Sequence, residues 1–189
     1  MKSVINNENT IIIKNSRFIC LLYNLDDNTK VEEYLKKAKE TYKDATHYCY
    51  AYIIGNTSKC SDDGEPSGTA GMPMLQVLKK NNLNNVLCIV IRYFGKILLG
   101  AGGLVRAYTR SVVECLENSI VELNPGYNIT LIFDYDNIKK IDYILKDIPN
   151  IQKNYTDSII YNLNVNKDIY NELKNINNIK ITINKNIYL

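Results

Sequence analysis

Two glycine-rich segments carry the residues in this sequence that are best suited to bind a ligand. The first, residues 61–71, reads Ser-Asp-Asp-Gly-Glu-Pro-Ser-Gly-Thr-Ala-Gly, and the second, residues 95–106, reads Gly-Lys-Ile-Leu-Leu-Gly-Ala-Gly-Gly-Leu-Val-Arg. Each leads into a predicted helix, whose unpaired N-terminal amides and dipole favour an anion. Arg92, Lys96 and Arg106 add positive charge nearby. The pattern predicts a cradle for a phosphate group or a nucleic-acid backbone.

The candidate binding residues are the polar and glycine positions of both segments and the three cations. They are Asp62, Asp63, Gly64, Glu65, Ser67, Gly68, Thr69, Gly71, Arg92, Lys96, Gly100, Gly102, Gly103 and Arg106. The alternative interpretation is that the glycines serve tight turns and close helix–sheet packing, with the charges solvated. Neither segment contains the phosphate-loop spacing Gly-x-x-x-x-Gly-Lys-Ser/Thr or the dinucleotide-binding spacing Gly-x-Gly-x-x-Gly. Both interpretations therefore stay open.

Three carboxylates in the first segment offer a second chemistry. Asp62, Asp63 and Glu65 could hold Mg²⁺ beside a bound phosphate, because hard cations prefer oxygen ligands. They could equally cap turns, as Asp side chains often do, or pair with Arg92 and Arg106. We expect no cofactor apart from this Mg²⁺ alternative.

His47 is the only histidine and gives little support for an enzyme. With Ser67 or Thr69 and with Asp62 it could form a hydrolase triad, but no nucleophile-elbow pattern accompanies these residues. We therefore expect no catalytic residues. For His47 we expect a structural role or a helper role at a binding surface.

Two aromatic residues, Tyr93 and Tyr108, flank the second segment and are interpreted as core or groove aromatics. Stacking of either ring on a nucleic-acid base is an alternative. The 15 tyrosines are dispersed along the chain, so they do not indicate a stacking platform.

The composition is that of an ordinary globular protein rather than of a disordered or membrane-spanning chain. Of 189 residues, 46% are hydrophobic and 23% charged, and the net charge of +3 permits a nucleic-acid surface. The five cysteines are scattered without a Cys-x-x-Cys pair, which favours free thiols in a reducing compartment. We see no signal peptide and no apolar run long enough to span a bilayer. We expect a cytoplasmic protein that does not bind membranes.

The elements that must position these residues follow from hydrophobic periodicity. Residues 10–13, 17–23, 47–54 and 86–93 read as strands, and the last is a continuous apolar run typical of a strand buried on both faces. A helix is predicted after a capping box formed by Thr29 and Glu32. Further helices are predicted at Pro73 and after the second glycine-rich segment.

The composition changes near residue 124, where Pro125-Gly126 is a strong turn signal. We predict a first domain over residues 1–123, a short hinge, and a second domain over residues 127–189. The second domain reads strand, helix, strand, strand, helix, strand, which is the ferredoxin-like order.

Four ordered segments resemble the IMPACT/YigZ family: residues 45–52, residues 61–71, residues 92–95 and residues 99–108. The resemblance implies an α+β protein. Its N-terminal domain would have the fold of the second domain of ribosomal protein S-five. Its C-terminal domain would be ferredoxin-like, similar to the fifth domain of elongation factor G. Both folds are met in ribosome-associated proteins, which favours a role in translation or RNA biology, although fold kinship alone does not establish function.

The sequence departs from the family pattern at three positions. The family usually has Lys where Met72 stands, Gly where Lys96 stands and Lys where Leu98 stands. One cation is therefore lost and another is displaced by two residues, so we expect the affinity for anions to be altered.

Three hypotheses for the function follow. The first is a cytosolic regulator without enzymatic activity that binds RNA or the ribosome through residues 61–71 and 92–106, with no readout of DNA sequence. Its binding should fall steeply with salt, because Arg92, Lys96 and Arg106 would contact phosphates. The second is an enzyme or binding protein for a phosphorylated small molecule or nucleotide that uses the same loops. The third is a protein–protein adaptor.

Overall fold

The computed structural model describes every residue, Met1–Leu189. The chain separates into an N-terminal unit, Lys2–Glu122, and a C-terminal unit, Leu123–Leu189, with which Met1 is grouped. Each unit contains its own sheet and its own buried core. The α+β class predicted from the sequence is confirmed. No helix combines the length and the apolar character that crossing a membrane requires.

The N-terminal unit is built on a five-stranded antiparallel sheet in the order β2-β3-β6-β4-β5. Two short strands, β1 and β7, form a separate antiparallel ribbon. The elements are β1 Lys2–Val4, β2 Asn7–Ile13, β3 Ser16–Asn24, α1 Val31–Thr41, β4 His47–Ile54, β5 Thr57–Ser61, α2 Gly71–Lys80, β6 Val86–Tyr93, α3 Ala101–Leu116 and β7 Ile120–Glu122.

Strand β6 lies at the centre of this sheet and is buried on both faces, as its apolar run predicts. Cys88 and Val90 pack with residues of α2 and α3 on one face. Leu87, Ile89 and Ile91 pack with residues of α1 on the other. Because β6 ends at Tyr93, this central position fixes where the loop from β6 to α3 leaves the sheet.

The predicted capping box before α1 is wrong in its details. The capping residue is Asp27, whose Oδ1 accepts hydrogen bonds from the backbone amide of Thr29 at 2.9 Å and from its hydroxyl at 2.7 Å. A short 3₁₀ turn, Asn28–Lys30, then leads into the helix. Asp27 takes the Thr29 amide that the Glu32 side chain was expected to bond, and the Thr29 hydroxyl donates to Asp27 instead of accepting from the Glu32 amide.

The C-terminal unit has the ferredoxin-like topology that the sequence predicts. Its antiparallel sheet has the order β11-β8-β10-β9, and the core includes residues of the strands and of both helices. The elements are β8 Pro125–Phe133, α4 Ile138–Ile144, β9 Gln152–Tyr155, β10 Ile159–Asn166, α5 Lys167–Lys174 and β11 Ile179–Tyr188.

The predicted turn at Pro125-Gly126 is wrong. Both residues lie at the start of β8, where Gly126 is paired with Asn166 on one side and Ile187 on the other. Proline is tolerated at the first residue of a strand because that position can do without the amide donor. A β-carbon on Gly126 would approach the carbonyl oxygen of Val165 to 2.5 Å, so glycine here serves close strand packing.

Candidate functional site

The first glycine-rich loop folds around the carboxylate of Asp62, which lies at the N-terminus of α2. Its Oδ1 accepts hydrogen bonds from the amides of Ala70 and Gly71 at 3.0 and 2.8 Å, and its Oδ2 accepts from the amide of Gly68 at 2.8 Å. Burial raises the pKa of this carboxyl, but the three amide hydrogen bonds outweigh that effect and leave the pKa lowered. The predicted anion cradle of this loop is therefore occupied by a carboxylate of the same chain.

Replacing Asp62 with alanine is expected to lower the free energy of unfolding by about 2 kcal/mol, because three amides at a helix start lose a charged acceptor. The lowered pKa of Asp62 means that its contribution is present above the pKa of the unfolded chain. The contribution is lost as the pH falls through the folded-state pKa. Thermal unfolding of Asp62→Asn across an acid pH series should show a flatter decline than the wild type. Asp157→Asn, at an exposed turn, should keep the wild-type profile.

Glu65 is the second buried carboxylate of this loop and is paired with Arg92. The Glu65 Oε1 atom accepts from Arg92 Nη1 at 2.6 Å and from the hydroxyl of Tyr108 at 2.8 Å. Only 2% of the Glu65 side chain and 6% of the Arg92 side chain are exposed. Arg92 also donates to the hydroxyl of Ser16 at 3.4 Å. Among the alternatives left open by the sequence, the structure selects an internal ion pair between Glu65 and Arg92.

The structure places two of the candidate residues, Arg92 and Tyr108, in the core. Arg92 was expected to contact phosphate, but it is buried and its charge is compensated by Glu65. Tyr108 was interpreted as a core or groove aromatic, with base stacking as the alternative; it is fully buried and packs edge-on against Phe18 at a ring-centroid distance of 5.3 Å. Burial raises the pKa of Tyr108, and the neighbouring Cys49 and Glu65 raise it further, so the phenol stays protonated.

His47 is held between the loop backbone and the buried carboxylate. Its Nδ1 lies 2.8 Å from the carbonyl oxygen of Asp63, and its Nε2 lies 3.8 Å from Glu65 Oε2. Asp63 in turn accepts a hydrogen bond from the amide of Tyr48 through Oδ2 at 2.7 Å. These contacts place His47 in a structural role that ties the start of β4 to the glycine-rich loop.

The hydroxyl groups of the first loop are not assembled for nucleophilic catalysis. The Thr69 hydroxyl donates to the carbonyl of Pro66 at 2.6 Å, and Ser67 is exposed. Neither side chain is hydrogen-bonded to His47. The carboxylates of the loop also do not form a cluster of three or more ligands that could hold a metal ion. The candidate triad side chains are therefore not hydrogen-bonded to one another, and the oxygens of Asp62 and Glu65 accept from backbone amides, Arg92 and Tyr108.

The second glycine-rich loop is anchored on the turn between β2 and β3. The Gly95 amide donates to the Ser16 hydroxyl at 3.1 Å, and a β-carbon on Gly95 would collide with the backbone of Asn15 and Ser16. The next residue, Lys96, has a φ of 64°, a left-handed conformation that favours glycine. Its side chain is exposed. The loop thus brings Lys96 to the surface in a conformation that lysine adopts at some cost.

The start of α3 is open to solvent and lacks a side-chain cap. The N-cap residue is Gly100, with a φ of 72°, and the first turn contains no acidic residue. Gly100 and Gly102 are exposed, and Gly103 is partly exposed. The amides of this turn are therefore not occupied by a carboxylate of the chain, in contrast to those of α2.

A cleft of about 310 Å³ lies beside this helix and is lined by three cations, Lys14, Arg106 and Arg110. Gly103 and Leu99 complete the lining on the side of the second loop. Arg106 and Lys14 have no carboxylate partner, whereas Arg110 donates to Glu114 at 2.6 Å on the exposed helix surface. No acidic residue lines the cleft. We call this feature the cationic cleft.

Sequence reasoning missed two of the three cations. Arg110 lies one helical turn after Arg106, so the i,i+4 spacing on a predicted helix was a usable signal. Lys14 lies in a turn some ninety residues earlier in the chain. Only the anchoring of the second loop on that turn brings Lys14 to the cleft, and no local sequence signal reports it.

Tyr93, the remaining predicted aromatic, is held by the protein itself. Its hydroxyl donates to the carbonyl of Lys43 at 3.0 Å, and the Arg17 guanidinium lies 4.3 Å from its ring centroid. One face of the ring is therefore covered by a cation.

Comparison with known proteins connects this geometry to a family. A family model described as the Impact N-terminal domain matches residues 14–116, which is more than half of the chain. The chain belongs to the IMPACT family. IMPACT family member YvyE of Bacillus subtilis is 42% identical over 174 residues, covering 90% of this chain and 78% of that protein. IMPACT family member YigZ of Escherichia coli is 36% identical over 139 residues, covering 70% and 68%.

One solved structure extends the likeness to nearly the whole chain. A crystal structure of a hypothetical protein aligns with a TM-score of 0.67 at 26% identity and covers 97% of both chains. The two-domain translational regulator Yih1 aligns with a TM-score of 0.40 at 20% identity, covering 59% of this chain and 45% of that chain.

The three departures from the IMPACT/YigZ pattern all lie on the surface of this family member. Met72 is 47% exposed and Leu98 is 81% exposed, so both positions expected to carry lysine present apolar side chains to solvent. Lys96 occupies the left-handed position where the family pattern has glycine. Lys96 is therefore the one departure that carries a positive charge.

Proposed function

We propose that this IMPACT-family protein is a translation-related regulator. Its cationic cleft binds phosphate groups of RNA, either free or in the ribosome. The observation that carries the proposal is the convergence of Lys14, Arg106 and Arg110 in a cleft without any acidic residue. Lys14 and Arg106, which have no carboxylate partner, are available to phosphate oxygens, and such contacts supply most of the affinity for nucleic acids. Membership of the IMPACT family, whose folds are met in ribosome-associated proteins, supports the translational context.

The proposal narrows the surface expected from the sequence. Residues 61–71 no longer belong to the proposed phosphate contact, because Asp62 already accepts from the loop amides and Glu65 already pairs with Arg92. The turn between β2 and β3, which carries Lys14, takes their place. The unoccupied amides at the start of α3 lie on the same helix as Arg106. They can donate hydrogen bonds to an anion that the charge of Arg106 also attracts.

Neutralising the two unpaired cations should reduce both the affinity for RNA and its salt dependence. A plot of log K against log salt falls with a steepness of about one per phosphate contact. Lys14→Gln/Arg106→Gln should therefore make this slope less steep by about two. Fluorescence anisotropy with a labelled RNA across a salt series measures this slope. The control is Lys139→Gln/Lys140→Gln, which removes the same charge from exposed positions in α4. Equal slopes for the two variants would contradict the proposal.

A protein–protein adaptor is the second candidate, favoured by apolar side chains exposed on the second loop. Phe94, Ile97 and Leu98 are 41%, 45% and 81% exposed. Burial of such side chains against a partner is favoured at high salt, whereas phosphate contacts weaken. Association with ribosomes that persists at high salt and is lost in Leu98→Ser would favour the adaptor over the phosphate-binding function.

A further inference from the structure

We propose that the face of the C-terminal sheet that is not covered by helices binds unpaired nucleobases of RNA. The proposal rests on the RNA-binding function proposed above and adds a second site that reads base edges rather than phosphates. We call this surface the open face. It consists of Asn128, Thr130 and Ile132 of β8, Ile160, Asn162 and Asn164 of β10, Gln152 and Asn154 of β9, and Lys180, Thr182 and Asn184 of β11.

Eight of the eleven side chains of the open face are carboxamides or hydroxyls, and five of these form one hydrogen-bonded chain across three strands. Asn128 donates to Asn164 at 2.7 Å and accepts from Asn184 at 3.0 Å. Asn184 also donates to Thr130 at 3.0 Å, and Thr130 donates to Asn162 at 2.7 Å. These bonds fix the direction of each amide before a ligand arrives, which reduces the entropy that binding would cost.

The amides keep binding capacity after these internal bonds are made. A carboxamide carries two N–H donors and an oxygen with two lone pairs. Asn162 and Asn164 each use one lone pair of the oxygen for the network, which leaves both N–H groups and one lone pair. A donor and an acceptor side by side on one amide match the adjacent donor and acceptor on a base edge.

A cavity of about 500 Å³ adjoins these amides and has the mixed lining that a base requires. Its polar lining includes Asn128, Asn162 and Asn164, and its apolar lining includes Pro149 and Ile148. A nucleobase presents polar edges and apolar faces, so it can bond to the amides through an edge while a face contacts the apolar side chains. The volume lies within the range of small-ligand sites.

The charge distribution of the C-terminal unit fits a polyanion on the sheet. None of its strands contains an acidic residue, although the unit has seven of them. All seven lie in helices or connecting segments: Asp134, Asp136, Asp142, Asp147, Asp157, Asp168 and Glu172. Lys180 lies on the open face itself. An RNA strand on this face therefore meets amides and a cation and no carboxylate from the strands.

The test compares a labelled single-stranded RNA with its duplex, whose base edges are paired, by anisotropy with the full chain. Asn162→Ala/Asn164→Ala should weaken single-strand binding about tenfold and change duplex binding less than twofold. The control, Asn171→Ala/Asn175→Ala, makes the same substitutions at exposed positions in and just after α5 and should change neither. Lys14→Gln/Arg106→Gln should weaken both.

The outcomes separate this inference from the proposed function. If Lys14→Gln/Arg106→Gln weakens binding while Asn162→Ala/Asn164→Ala does not, the open face is excluded as a base site and the cationic cleft stands. If the wild type binds neither RNA, the open-face inference is wrong, and the proposed function then rests on ribosome binding alone.

Crosslinking of the unaltered protein to RNA that contains 4-thiouridine gives a measurement independent of variants. Crosslinked peptides from residues 125–133, 152–155 or 159–166 support the open face. Crosslinks confined to the helices of the unit overturn it.

Discussion

Replacing Glu65 with alanine is expected to lower the free energy of unfolding by about 3–5 kcal/mol, the cost of leaving a buried charge without its partner. The Arg92 guanidinium would lose the carboxylate that accepts from it at 2.6 Å. The Tyr108 hydroxyl would lose an acceptor at 2.8 Å. Both groups are too deeply buried for water to replace the carboxylate without a structural change. Urea denaturation followed by circular dichroism measures the loss.

A double-mutant cycle shows whether the unpaired charge causes this loss. Glu65→Leu and Arg92→Met each leave one buried charge unpaired, whereas Glu65→Leu/Arg92→Met removes both charges. The double variant should therefore be less destabilised than the sum of the two single variants, because no ion is left in the core. Glu33→Ala provides the matched control: Glu33 pairs with Lys37 at 2.6 Å, the same distance, but on the exposed surface of α1. That variant should unfold at the wild-type urea concentration. A double variant as unstable as the sum of its parts would contradict the account.

Replacing Gly95 with alanine is the second change with a large expected effect, a loss of about 3 kcal/mol or more. The added β-carbon would overlap backbone atoms of Asn15 and Ser16, and a backbone cannot rotate away as a side chain can. The loop from β6 to α3 would have to move off the turn that anchors it and that carries Lys14. The variant should therefore lose RNA affinity as well as stability.

Gly102→Ala is the control for Gly95→Ala, because the same methyl group is added a few residues later without a clash. A β-carbon there meets only Arg106 Nη1 at 3.5 Å, which is ordinary contact. Alanine is favoured over glycine inside a helix by roughly 0.5–1 kcal/mol, so this variant should be slightly more stable than the wild type. If both variants had equal melting temperatures, close packing of Gly95 would not be the cause.

The regular elements were largely predictable because their signals are local. The apolar run of β6 requires burial on two faces, and the alternating pattern of the C-terminal half yields the ferredoxin-like order. Strand β5 was not predicted, because Thr57–Ser61 is a polar segment at the sheet edge and is mostly exposed. Backbone pairing with β4 holds this segment as a strand, although its side-chain pattern does not indicate one.

The candidate site was only half predictable, for a physical reason. Glycines at the start of α2 correctly indicate an anion site, but the anion is Asp62, and no spacing rule distinguishes an internal carboxylate from an external phosphate. Arg92 reads as a surface cation because its charge is visible in the sequence and its burial beside Glu65 is not. Lys14 was missed because it reaches the cationic cleft only through tertiary structure.

The most direct test of the central claim is co-sedimentation of the protein with ribosomes between about 50 mM and about 200 mM salt, with wild type and Lys14→Gln/Arg106→Gln side by side. Phosphate binding through the cationic cleft predicts that the wild type sediments with ribosomes at low salt and is released as the salt rises. It also predicts that the variant is released at a lower salt concentration than Lys139→Gln/Lys140→Gln. Absence of ribosome binding at low salt, or release of both variants at the same salt concentration, would contradict it.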